Sequence, residues 1–137
     1  MLKYISLLLD ECVIKNINQF RKNKLNLKTE KNMNKTEKEI LDLFAEELRR
    51  ILGSRVKRIL LYGSRARGDN DLDSDYDFLV ILSDVSSDTK AAIDEIVGEF
   101  LYQYDIVFSV LPKEEKAFNE YPYDPIFINA FQEGIPL

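Results

Sequence analysis

Between Tyr62 and Leu82 the chain reads Tyr-Gly-Ser-Arg-Ala-Arg-Gly-Asp-Asn-Asp-Leu-Asp-Ser-Asp-Tyr-Asp-Phe-Leu-Val-Ile-Leu. Within it, Asp75 and Asp77 open a strongly apolar run. In an extended chain alternate side chains share a face, so these two carboxylates point one way and Tyr76 and Phe78 the other. Like charges so close repel, by about 4 kcal/mol at ~4 Å and an effective dielectric of ~20. A divalent cation between them reverses the sign of that energy. Carboxylate oxygens are hard ligands suited to Mg²⁺, Mn²⁺ or Ca²⁺. A third acid, Asp105, follows the next apolar block. If the strand it opens lies beside the first, three carboxylates converge on one metal-binding site.

Gly63 and Ser64 supply the complementary half. They follow an apolar run, where a residue without Cβ lets the backbone come close to a phosphate. The N–H groups that follow, with the Ser64 hydroxyl, can then bond phosphate oxygens at a helix start. Arg65 and Arg67 are the cations of this stretch; the next is Lys90. Both are candidates for phosphate binding, although Arg67 has neighbouring Asp residues as competing partners. Asp69, Asp71 and Asp73 alternate too, but without strand character, and are expected on a loop surface. Three carboxylates, a nucleotide triphosphate, two Mg²⁺ ions and one or two arginines come near neutrality. Two such ions can steady both the entering and the leaving oxygen of an in-line displacement. Phosphoryl-type transfer needs little beyond that positioning and charge.

The remaining composition narrows the chemistry further. The chain has no His, which excludes a Ser-His-Asp triad, a histidine base and a histidine zinc site. Cys12 stands alone, so neither an internal disulfide nor a cysteine metal cluster can form. A single thiol fits a reducing compartment, and a cytoplasmic location is expected. Asp10 and Glu11 interrupt the first apolar run and no cleavage site follows, so no signal peptide is expected. No apolar run approaches the ~20 residues of a membrane span. Charge is divided unevenly: residues 1–60 hold 14 Lys/Arg and 8 Asp/Glu, residues 61–137 hold 5 and 16. So acidic a half repels a nucleic-acid backbone, and direct nucleic-acid binding is not expected.

Periodicity sets the elements that must position these residues. A helix is expected over residues 36–52, with Thr36 and Glu39 in capping-box relation and Gly53 as its stop. Strands are expected at 56–62 and 76–82, around a polar loop at 65–74. Ser86 or Ser87 caps a helix to about Tyr104. A third strand is expected over 105–111, ended by Pro112, and a last helix over 125–133, closed by Gly134. The result is an α/β (α+β) domain over residues 35–137, a small mixed sheet with helices packed mainly on one face. Tyr102, Tyr104, Tyr121 and Tyr123 are expected at core edges. Residues 1–34 read as an extension: a short amphipathic helix to about Asn16, then a solvated basic linker. Met33 is a candidate initiator.

The Gly63-Ser64-Arg65-Ala66-Arg67-Gly68 string, with Ser74-Asp75-Tyr76-Asp77 after it, resembles the DNA polymerase β-like nucleotidyltransferases, and within them the minimal nucleotidyltransferases. The resemblance spans roughly residues 36–137. It implies the polymerase β-like fold, with Asp75 and Asp77 holding both Mg²⁺ ions and Asp105 holding one. It implies that Gly63 and Ser64 hold the triphosphate of ATP. It also implies a partner, a HEPN-domain ribonuclease toxin, to whose tyrosine AMP is transferred so that the chain acts as an antitoxin. The 26 residues from Pro112 onward leave little room to grip a small acceptor, which agrees with an acceptor carried by another protein. Transfer to a small molecule such as an aminoglycoside, and neutralisation by binding without catalysis, are the alternatives.

Overall fold

The structure, a computed structural model, describes residues 35–137. The expected N-terminal helix, the basic linker and Met33 lie outside the described residues.

Helix α1, Lys35–Leu52, buries Ile40, Leu41, Phe44, Ala45, Leu48 and Leu52. These recur every three or four positions, the spacing of one helical face. Gly53, with φ of +59°, turns the chain through the short 3₁₀ segment Gly53–Arg55. Strand β1 is Val56–Tyr62, helix α2 Gly63–Arg67, and strand β2 Tyr76–Leu82. Helix α3, Ser87–Tyr104, starts where the Ser86 hydroxyl accepts the Thr89 N–H. Thr89 is itself fully buried, and its hydroxyl also meets Arg55 and Asp84. Strand β3, Phe108–Glu114, leads into α4, Glu115–Glu120; α5, Pro125–Glu133, leads into the two-residue strand β4, Ile135–Pro136.

The sheet order is β3-β2-β1-β4, with β2 antiparallel to β1 and parallel to β3. The two long helices cover one face, where Phe44 meets the rings of Phe78, Phe100 and Phe108 at 4.4–5.3 Å. This is the larger core, and it matches the expected placement of helices. The other face carries a smaller core in which Leu60, Leu79 and Ile81 meet Phe118, Phe127 and Ala130 of α4 and α5. Gly134 is required there, because a Cβ would lie 2.0 Å from the Ala130 carbonyl oxygen.

Two expectations need correction. The third strand begins at Phe108 and runs through Pro112. Tyr76 N–H donates to the Val107 carbonyl at 3.1 Å, with Tyr76 level with Phe108. That phase aims the odd-numbered β3 peptides at β2 and the even-numbered ones outward. The missing N–H of Pro112 therefore falls on the open edge, where proline is tolerated. Secondly, Tyr102, Tyr121 and Tyr123 are 92%, 66% and 68% exposed rather than packed at core edges.

Candidate active site

The end of β1 and the start of β2 lie side by side, with Tyr62 opposite Asp77. Leu60, Leu79 and Ile81 belong to the smaller core, so by alternation Tyr62, Asp75 and Asp77 face that side of the sheet. Covered by α4 and α5 farther along, this face is open at the acidic end: Asp75 is exposed and Asp77 half-buried.

Asp77 is the tightest point of the site. Burial pushes its carboxyl pKa up, the Asp75 charge pushes it the same way, and Arg67 pulls it down. Burial and the Asp77 charge likewise raise the Tyr62 phenol. Gly63 makes room for this arrangement. Its φ is +74°, and a Cβ there would lie 2.7 Å from an Asp77 carboxylate oxygen. A side chain at 63 would thus strain the backbone and displace the carboxylate at once. Helix α2 follows with no side chain capping its first turn, and the Ser64 carbonyl closes it by accepting the N–H groups of Gly68 and Asp69 at 2.9 and 3.2 Å.

The two arginines separate. Arg67 lies on the Asp77 side, where it is ion-paired to Asp69 at 3.2 Å and Glu133 at 3.0 Å. Arg65 stacks over the Tyr76 ring at 4.4 Å, and that ring packs in the larger core on the opposite face. Its Nε donates to the Ser74 carbonyl and one terminal nitrogen to the Leu72 carbonyl, both at 3.0 Å. The other terminal nitrogen stands 3.9 Å from Glu37. Placed so, Arg65 lies against the face of β2 opposite the carboxylate pair. Alternation already assigned Tyr76 to the far face; nothing in the spacing marked Arg65 as its partner.

Asp105 also departs from expectation. It does not open β3 but closes α3, in the left-handed conformation with φ of 54°, its N–H bonded to the Leu101 carbonyl. The residue level with Asp77 on β3 is Ser109, four positions later. Among the described residues no group of three or more carboxylate, cysteine or histidine side chains is arranged to hold a metal ion. What the fold brings together is the pair Asp75 and Asp77 with Gly63. That donor set fits a hard divalent cation: oxygen ligands on one face, mutual repulsion to be relieved, and a carboxylate seated against a backbone with no Cβ. None of the described helices is long and apolar enough to cross a membrane.

A family model for the nucleotidyltransferase domain matches residues 41–133. Two proteins of Methanocaldococcus jannaschii are similar in sequence. One, named "Putative protein adenylyltransferase MJ0141", is 35% identical over 72 residues, 52% of this chain and 73% of its own length. Another, named "Putative protein adenylyltransferase MJ0604", is 30% identical over 98 residues, 72% of this chain and 94% of its own. With the family match running from α1 to the last residue of α5, and the acidic pair set against the glycine bend inside it, the chain belongs to the nucleotidyltransferase domain family and is a nucleotidyltransferase.

Proposed function

We propose that this chain transfers AMP from ATP to a hydroxyl of a partner protein, with Mg²⁺ held by Asp75 and Asp77. The observation that carries this is the seating of Asp77 against Gly63, with Asp75 beside it on an open face. The protein acceptor is supported by the names of the two relatives. The acceptor hydroxyl gives up its proton to solvent, its oxygen bonds to the α-phosphorus, the bridge to the β-phosphate breaks, and pyrophosphate leaves. Mg²⁺, when bound, supplies charge neutralisation and holds the polyphosphate against the protein. Asp75 and Asp77 fix its place, and the α2 start, free of a capping side chain, offers Gly63 and Ser64 N–H groups to phosphate. The Arg67 charge opposes the burial and the Asp75 charge that raise the Asp77 carboxyl.

The finer reading follows the resemblance: the acceptor is a tyrosine of a HEPN-type toxin, and the transfer silences it. Purified chain, toxin, Mg²⁺ and ATP labelled at the α-phosphate should leave label on the toxin. Asp75→Asn with Asp77→Asn should abolish it. Label that persists in the double variant refutes the metal site. Label absent with the native chain, but present on an aminoglycoside, moves the acceptor to the small-molecule class.

A further inference from the structure

Eight residues join α2 to β2, and they end at the first metal-binding candidate, Asp75. The peptide before Asp75 is held by Arg65, whose Nε bonds the Ser74 carbonyl at 3.0 Å. The peptide after it is held by the β ladder, where Tyr76 N–H bonds the Val107 carbonyl at 3.1 Å. Arg65 also grips the Leu72 carbonyl, so one guanidinium spans the turn in which Ser74 N–H bonds the Asp71 carbonyl and Asp71 N–H bonds the Ser74 hydroxyl. Arg65 is in turn fixed from behind. Its side chain is 13% exposed, stacked on the buried Tyr76 ring and near Glu37 of α1.

We infer that Arg65 is a positioning residue: from the far face of the sheet it locks the Leu72 and Ser74 carbonyls, and so sets the backbone that carries Asp75 beside Asp77. This use needs two parallel N–H donors in a rigid fork, which arginine has and lysine lacks. Phosphate, by contrast, is also bound by lysine as a point charge. The inference rests on the proposed function for its effect on nucleotide binding, but its effect on the loop stands by itself.

Two measurements on the full chain test it, each with Arg65→Gln and Arg65→Lys. Arg65→Lys keeps charge and aliphatic stem over Tyr76, and loses only the fork. In amide hydrogen exchange, both variants should speed exchange at Ser74 and Tyr76 while Leu60 and Leu61 of β1 stay protected. In calorimetric titration with Mn²⁺ and ATP together, both should bind about tenfold or more weakly than the native chain, the usual cost of losing a group that orients a metal ligand. Native binding retained in Arg65→Lys overturns the inference in favour of a charge role. Unchanged exchange at Ser74 and Tyr76 overturns it outright. A native chain that binds no Mn²⁺·ATP, together with a loosened loop in both variants, removes the proposed function and leaves the positioning of Asp75 standing.

Discussion

On the α1/α3 face, β2 presents Tyr76, Phe78, Val80 and Leu82, all buried. On the other face stand Asp75, just ahead of the strand, and Asp77 within it, and the strand becomes apolar there only at Leu79 and Ile81. Alternation lets a single strand do both. Tyr76 and Phe78 anchor the acidic end in the larger core while the carboxylates that alternate with them stay at an open surface. The charge is therefore displayed without weakening the core beneath it. The arginines divide the same way: Arg65 supports from the core side, Arg67 faces the acids.

The comparison breaks most visibly at the aromatic residues. Phe44 touches three other rings in the larger core, and Phe127 touches Phe118 in the smaller. Both are buried, so both truncations leave cavities. Phe44→Ala should cost about 4–5 kcal/mol and Phe127→Ala about 3 kcal/mol, measured by urea unfolding. Equal costs would mean that the two faces share stability evenly and that the site face is no thinner than the other.

Next in size is Asp77→Asn, which sets activity against stability. The carboxyl of Asp77 is raised in the fold by burial and by Asp75. The folded chain thus holds this proton more tightly than the unfolded chain does. Its contribution to stability is greatest below the unfolded pKa and is lost as pH rises through the folded one. Above that window the native protein carries an unfavourable ionised carboxylate that asparagine lacks. Asp77→Asn should melt a few degrees higher than the native chain at pH 7, and the gap should close toward pH 3, while transfer is lost. A variant that melts lower at pH 7 would show that the ionised carboxylate is stabilised by bonds to its surroundings.

Much of this was readable in the residues. The bend at Gly63 and the place of Asp77 in β2 follow the expected strand ends, because short-range geometry depends only on nearby chain. The strands 56–62 and 76–82 have their expected bounds for the same reason. What failed depended on where elements end and how they pair, which periodicity alone does not give. The start of β3 was set by its register against β2, and the αL turn at Asp105 was set by the end of α3; the tolerance of Pro112 followed from its place on the sheet edge. Asp105 adopts that turn because a short polar side chain bears positive φ better than most. The roles of Arg65 and Glu133 needed the third dimension altogether, since Glu133 pairs with Arg67 across 66 residues. The α4 helix and β4 were too short to leave a period.

The smallest expected effect belongs to Arg67, and it tests which side of the sheet that residue serves. Its guanidinium is exposed, and its pairs with Asp69 and Glu133 lie at the surface. Exposed pairs of this kind add little to stability, so Arg67→Gln should leave the unfolding midpoint nearly unchanged. Its charge nevertheless acts on Asp77, against both burial and Asp75. Removing it should move the Asp77 carboxyl pKa further up, followed by carboxyl ¹³C shifts across a pH titration. The difference between native and variant should shrink in strong salt, because the interaction passes through solvent. Arg65→Gln, by contrast, removes no charge from the Asp77 side of β2, and it should reach that titration only through the placement of Asp75. An Asp77 titration that ignores the loss of Arg67 would take that arginine off the acidic face.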